Sequence, residues 1–104
     1  MHEIDIVNKK TSNIHGEYIG RPSPLGNPFS LEHYTRERAI ELYRVWLRQE
    51  WKRKGSPAQA ELLRLTRDYK YRGVLHLVCW CTPQACHGEV VRDAVMGILQ
   101  KGLV

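Results

Sequence analysis

The chain has 104 residues, of which 42% are hydrophobic and 26% charged, so neither wholesale disorder nor a membrane-embedded protein is expected. Its net charge of +5 favours anionic partners such as nucleotides, phosphates or nucleic acid, without requiring them. This length predicts one domain over residues 1–104. The N-terminal segment MHEIDIVNKK lacks a signal-peptide core, so we expect a cytoplasmic protein. Because the chain has three cysteines, an odd number, we expect no disulfide framework.

The first predicted elements are a strand and a long loop. Residues 3–8, EIDIVN, alternate Ile4 and Ile6 with acidic side chains, which is the period of a strand. Residues 9–29 follow with three glycines and three prolines, a composition typical of loops, and EYI at 17–19 is a short extended segment within them. Loops of this length in compact domains are usually functional.

Two helices are predicted next. Thr35 is placed to cap the first, over residues 36–54, and Ser56, Pro57 and Gln59 form a capping box that begins the second, which Gly73 ends. Apolar residues recur at helical spacing in both and predict their buried sides: Ala39, Ile40, Tyr43, Trp46, Leu47 and Trp51 in the first, and Ala58, Leu62, Leu65 and Tyr69 in the second.

A buried strand over residues 74–81, VLHLVCWC, and a helix over about residues 86–101 complete the prediction. The helix is expected to bury Val91, Ala94, Val95, Ile98 and Leu99. Strands separated by helices favour parallel pairing. We therefore predict a small layered α/β fold that is Rossmann-like, with a short, mostly parallel sheet and about three helices, in which EYI or the adjacent IH segment supplies an edge strand.

The segment LVCWCTPQACHGEVV, residues 77–91, contains all three cysteines and a histidine. Cys79 and Cys81 lie two apart on the predicted strand and so share a face, while Cys86 and His87 lie where the last helix begins. Three thiolates and an imidazole are a ligand set for zinc, although this spacing is more cramped than that of usual structural sites. Zinc is therefore one hypothesis for this segment.

A reactive thiol is an equally weighted hypothesis for Cys86. The positive end of a helix dipole lowers the pKa of a thiol, and His87 or His76 could act as its base or stabilise the thiolate. For Cys79 and Cys81, simple burial explains the residue type, because free cysteines are among the most buried residues. Gly88 would allow a ligand to approach the backbone of the helix start.

The Gly/Pro loop, IGRPSPLGNPF at residues 19–29, is the second unusual stretch. Gly20 and Gly26 permit tight backbone turns between stiffening prolines. Arg21, Ser23 and Asn27 would then be displayed to hold an anionic or polar ligand, the arginine through its planar fork. The alternative is a structural loop in which Arg21 is an ordinary surface charge.

Basic and aromatic residues mix in the first helix, at YRVWLRQEWKRK. The basic side chains could contact nucleic-acid phosphates. We favour a solvated face instead, since the aromatic residues fit the buried side and cations late in a helix suit its dipole.

The joint pattern of YIGRPSPLGNPF, TRERAIELYRVWL and LVCWCTPQACHGEVV resembles a family of small bacterial and phage proteins of unknown function. The resemblance spans nearly the whole chain and implies a compact α/β domain, with no activity to carry over. The positions that match its signature are Gly20, Arg21, Pro22, Ser23, Pro24, Gly26, Asn27, Pro28, Cys79, Trp80, Cys81, Pro83, Cys86 and His87.

We predict that the two unusual stretches form one composite site. The Gly/Pro loop is expected to leave the first strand, and the Cys/His turn the strand over residues 74–81. If these strands pair in parallel, both loops leave the same edge of the sheet, where α/β proteins place their ligands. Arg21, Ser23 and Asn27 would then face Cys86, His87 and the start of the last helix. The best-fitting ligand is a phosphate-bearing small molecule such as a nucleotide. A cysteine-dependent enzyme and a zinc-held nucleic-acid-binding or host-interaction module are the alternatives.

Overall fold

A computed structural model describes residues 3–9, 16–80 and 86–104. In chain order the elements of these residues are β1 (Glu3–Asn8), β2 (Glu17–Tyr18), α1 (Arg36–Lys52), α2 (Pro57–Arg72), β3 (Val74–Cys79) and α3 (Gly88–Gln100). The predicted α/β class, with a short parallel sheet and three helices among the described residues, is confirmed. Within the described ranges, every helix is too short or too polar to cross a membrane.

The sheet has the order β1-β3-β2, and both outer strands run parallel to β3. Ile4 lies opposite Leu75, and Tyr18 lies opposite Val78. The EYI segment therefore supplies the expected edge strand. The Gly/Pro loop leaves this edge strand rather than β1, which corrects the prediction, but the parallel arrangement still brings it to the edge where β3 ends.

The helices cover one face of the sheet. Leu75, Leu77 and Cys79 alternate along β3 and join one core with the buried sides of α1, α2 and α3. The predicted buried residues that are confirmed are Ala39, Tyr43, Leu47, Ala58, Leu62, Leu65, Tyr69, Val91, Val95 and Ile98. Ile40, Trp46, Trp51, Ala94 and Leu99 pack against this core but are only partly buried.

Several element ends differ from the prediction. The first helix ends at Lys52 and not at residue 54, because Arg53 turns to an extended conformation. The central strand ends at Cys79, two residues early, and α3 begins at Gly88, two residues late. Cys81 lies outside the described residues, so its predicted position on a shared face with Cys79 stays a prediction.

Local capping explains where the first two helices begin. Thr35 Oγ1 accepts a hydrogen bond from the Arg38 amide at 3.2 Å, and Ser56 Oγ accepts one from the Gln59 amide at 3.1 Å. The Gln59 side chain does not complete a reciprocal capping box. It accepts from the Gly55 amide at 2.8 Å and donates to the Trp51 carbonyl at 2.9 Å, and thus joins the two helices.

Candidate functional site

A cavity of about 170 Å³ lies beside the carboxyl edge of the sheet, between the Gly/Pro loop and the start of α3. Five of the residues singled out from the sequence line it: Gly20, Arg21, Asn27, Cys86 and His87. We call it the composite cavity. The structure therefore brings together residues that are about sixty positions apart in the chain.

The Gly/Pro loop is built from two successive turns. The Ser23 amide donates to the Gly20 carbonyl at 2.8 Å, and the Gly26 amide donates to the Ser23 carbonyl at 2.9 Å. Ser23 Oγ accepts from the Leu25 amide at 3.2 Å, so this hydroxyl is used within the loop. A Cβ at Gly26 would lie 3.0 Å from the Arg21 Cα. Ser23 and Gly26 thus shape the loop and do not line the composite cavity.

Hydrogen bonds fix the loop to its surroundings. The buried Tyr43 hydroxyl donates to the Leu25 carbonyl at 2.6 Å, and Asn27 Nδ2 donates to the Ala39 carbonyl at 3.3 Å. Burial raises the pKa of Tyr43 well above its ordinary value, and nearby negative charge on Cys86 acts in the same direction. The hydroxyl therefore stays protonated and holds the loop on α1.

Cys86 and His87 form a hydrogen-bonded pair. His87 Nε2 lies 2.7 Å from the Ile19 carbonyl, and Nδ1 lies 3.6 Å from Cys86 Sγ. Because a carbonyl oxygen can only accept, Nε2 carries a proton, and in a neutral ring Nδ1 has the lone pair. The lone pair of a neutral His87 is therefore directed at the thiol.

The surroundings of His87 favour the neutral ring. Burial lowers its pKa from 6.5, and the positive charge of Arg21 adds to this effect. The hydrogen bond to the Ile19 carbonyl and the charge of Cys79 oppose it. The ring also packs edge-on against Tyr43, with the centroids 5.0 Å apart. Near pH 7 the imidazole is thus an acceptor toward Cys86.

Gly88 is needed for packing. A Cβ there would lie 3.1 Å from Ile6 Cγ2 and 3.2 Å from Ile19 Cδ1. The first turn of α3 therefore lies directly on the sheet, and Gly88 does not line the composite cavity. Its amide donates to Cys86 Sγ at 3.3 Å, which favours negative charge on the sulfur.

The wall of the composite cavity contains both cationic and apolar residues. Arg21 and Arg36 line it, and no acidic side chain lies among the described residues of its wall. Phe29, Leu31 and Ile40 are apolar residues of the same wall. This combination suits a ligand with an anionic group and an apolar or aromatic part.

Sequence reasoning assigned no ligand-binding role to two residues of this wall, Arg36 and Trp80, although Trp80 matches the family signature. A cation in the first turn of a helix opposes the helix dipole, so the position of Arg36 was a usable signal. Trp80 directly follows the central strand and is 51% exposed, although it is large and apolar. Its Nε1 donates to the Tyr18 hydroxyl at 3.0 Å, and Lys9 Nζ lies 5.5 Å from the centroid of its ring.

The zinc hypothesis stays a prediction. Cys79 and Cys86 are both buried, and the charge of Cys79 acts on His87. The described residues contain no group of three potential ligands, and Cys81, the remaining member of the predicted set, lies outside them. Any zinc held by His87 would have to bind through Nδ1, because Nε2 is occupied by the Ile19 carbonyl.

The basic residues in the second half of α1 and just after it are exposed, as expected for a solvated face: Arg44, Arg48, Lys52, Arg53 and Lys54. Arg44 lies 3.4 Å from Asp93, and Arg53 lies 2.7 Å from Glu50, so acidic neighbours offset part of the charge. A nucleic-acid contact on this helix stays a prediction with little to support it.

Comparison with family models gives a match that covers nearly the whole chain. The model described as Domain of unknown function (DUF4326) matches residues 6–97, which include the Gly/Pro loop and the Cys86–His87 pair. Comparison with curated proteins and with solved structures gives no match. The chain therefore belongs to the DUF4326 family of domains of unknown function.

Proposed function

We propose that the protein binds a small phosphate-bearing molecule in the composite cavity, with a nucleotide as the best-fitting class. The observation that carries this proposal is that Arg21 and Arg36 line the same cavity as Trp80. Guanidinium groups bind phosphate through paired hydrogen bonds, and an exposed indole ring offers a surface on which a base can stack. A cytoplasmic location is part of this proposal.

The size of the composite cavity limits what it encloses. Pockets that enclose a whole drug-sized ligand measure roughly 300–1,000 Å³, whereas this cavity measures about 170 Å³. We therefore propose that the phosphate and the adjoining part of the ligand enter the cavity. The remainder would lie against the exposed ring of Trp80.

Nuclear magnetic resonance titration with adenosine monophosphate, adenosine and inorganic phosphate tests the proposal. We expect the nucleotide to shift the amides of Gly20, Arg21 and Asn27 and the indole of Trp80, and adenosine to shift them far less. Inorganic phosphate should compete with the nucleotide. Shifts confined to the exposed basic residues of α1 would overturn the proposal.

Arg21→Gln is the decisive variant. Loss of a charged hydrogen-bonding partner should weaken nucleotide binding about tenfold or more. Arg67→Gln removes the same charge from an exposed position on α2 and serves as the matched control. If both variants bind the nucleotide equally well, the arginines of the composite cavity are not the phosphate site.

A further inference from the structure

The Cys86–His87 pair has the arrangement of an activated nucleophile. Cys86 Sγ lies 3.6 Å from His87 Nδ1, and the Ile19 carbonyl, 2.7 Å from Nε2, sets which nitrogen is free to accept a proton. A nucleophile, a base and a group that orients the base are the three parts that cysteine and serine enzymes share. Here the orienting group is a backbone carbonyl of the Gly/Pro loop.

The surroundings of the sulfur also suit a thiolate. Cys86 Sγ accepts a hydrogen bond from the Gly88 amide at 3.3 Å, at the N-terminal end of α3. Although Cys86 is buried, with 3% of its surface exposed, it lines the composite cavity. We therefore expect a small molecule in the cavity to approach the sulfur from this side.

Arg21 and Arg36 line that same cavity and are in a position to select what reaches the sulfur. A guanidinium favours reagents that carry phosphate or carboxylate over neutral ones of the same size. The cavity has no described acidic side chain in its wall to oppose this selection.

We infer that Cys86 is a nucleophile, that His87 Nδ1 accepts its proton, and that the substrate is a small electrophile whose phosphate or carboxylate group is held by Arg21 and Arg36. This inference rests on the anion site of the proposed function. The sulfur forms a bond to the electrophilic atom, the bond to the leaving group breaks, and the leaving group departs with the electron pair. The proton on His87 passes to the leaving group. In a second step the oxygen of water bonds to the same electrophilic atom with loss of a proton to His87, the bond to sulfur breaks, and the sulfur leaves with the electron pair and regains the proton.

Competitive alkylation tests this inference with a matched pair of probes. Iodoacetate and iodoacetamide undergo the same step, in which a sulfur–carbon bond forms and iodide leaves, but iodoacetate alone carries an anionic group. We expect the rate ratio of iodoacetate to iodoacetamide at Cys86 to exceed that of free cysteine at least tenfold. Fragment-ion mass spectrometry assigns the alkylated residue among Cys79, Cys81 and Cys86.

Three variants separate the parts of the inference. Arg21→Gln should return the rate ratio toward that of free cysteine, whereas Arg67→Gln should leave it unchanged. His87→Gln, which retains a donor for the Ile19 carbonyl, should slow both reagents at least tenfold and leave their ratio high. If His87→Gln does not fold, two measurements still test whether Cys86 is a nucleophile that prefers anionic reagents. They are the rate ratio in the unmodified chain and its change in Arg21→Gln.

The outcomes distinguish this inference from the proposed function. Phosphate binding at Arg21 together with a Cys86 that reacts no faster than free cysteine overturns the nucleophile and leaves the proposed function standing. Fast alkylation of Cys86 without a preference for iodoacetate, and without protection by inorganic phosphate, overturns the anionic substrate and the proposed function. Alkylation of Cys79 or Cys81 ahead of Cys86 overturns the inference.

Discussion

Gly88 and Gly97 lie in the same helix, but a side chain would meet different surroundings at each. At Gly88 a Cβ would lie 3.1–3.2 Å from Ile6 and Ile19, which are held in the sheet and the Gly/Pro loop, whereas at Gly97 it would meet nothing within 4 Å. A side chain at residue 88 would thus crowd its neighbours, whereas glycine at residue 97 lowers helix stability without a contact to offset the loss.

Alanine substitutions should therefore have opposite effects at these two positions. We expect Gly88→Ala to lower the free energy of unfolding by about 1–3 kcal/mol through overpacking. Gly97→Ala should raise it by about 0.5–1 kcal/mol, as is usual for glycine in a helix interior. Urea unfolding followed by circular dichroism measures both, and equal stabilities of the two variants would contradict the packing described for Gly88.

His87 should make the stability of the metal-free protein depend on pH. Its folded-state pKa lies below the unfolded value of 6.5, so the unfolded chain takes up the proton first as the pH falls. The contribution of His87 is thus fully present above about pH 6.5 and is lost below it, at up to about 1.4 kcal/mol per pH unit. Among the described residues, the titratable or charged groups that act on the ring are Tyr43, Cys79, Cys86 and Arg21.

Urea unfolding between pH 5 and pH 8 measures this dependence. Relative to the unmodified chain, His87→Gln should show a shallower loss of stability below pH 6.5. His33→Gln, which removes an exposed histidine from the loop before α1, is the matched control. Identical profiles for all three proteins would show that His87 titrates alike in the folded and unfolded states.

At the scale of elements, one buried hydrogen bond joins the Gly/Pro loop to α1. The Tyr43 hydroxyl donates to the Leu25 carbonyl at 2.6 Å, and the side chains of both residues are fully buried. Water therefore cannot replace the hydroxyl when it is removed. The position of the loop, and with it one wall of the composite cavity, depends on this bond.

Tyr43→Phe should accordingly weaken the loop and the whole fold. We expect the free energy of unfolding to fall by about 1–3 kcal/mol, because the Leu25 carbonyl is left buried without a donor. The amides of Leu25 and Gly26 should exchange hydrogen faster than in the unmodified chain. Tyr71→Phe removes a hydroxyl from a side chain that is 92% exposed and should change neither measurement.

At the scale of the whole molecule, a single core connects all three helices with β1 and β3. No part of the described chain has a separate core that could unfold alone. We expect one cooperative unfolding transition, with far-ultraviolet and near-ultraviolet circular dichroism giving coincident curves. Two separated transitions would show that the α/β layers unfold independently.

The sequence predicted those parts of the fold that local physics controls. Periodicity located the buried sides of α1 and α2, and the cap residues Thr35 and Ser56 placed the starts of these helices correctly. The last residue of β3 and the first residue of α3 were predicted less well. The predicted strand was too long because the apolar run through Trp80 continues past Cys79, the last residue that pairs in the sheet. Pairing is a tertiary property, and it ends where the partner strand ends.

The composite cavity was predictable in outline only. Parallel strands place Arg21 and Cys86 at one edge, which the order of strands and helices already indicated. The sequence did not show that Asn27 lines the cavity while Ser23 and Gly26 only shape the loop, because all three residue types occur both in turns and in ligand sites. Arg36 was missed because its approach to the cavity depends on how α1 packs against the Gly/Pro loop.

Trp80 gives the protein an optical reporter in the wall of the composite cavity. Its ring is half exposed and lines the cavity, whereas Trp46 and Trp51 lie partly buried against the core. An occupant that stacks on the indole should quench and blue-shift its fluorescence, while the emission of the other two tryptophans stays constant. In Trp80→Phe the same titration should leave the tryptophan fluorescence unchanged, even where calorimetry detects ligand binding. Ligand screening can thus be done by fluorescence with the unlabelled chain.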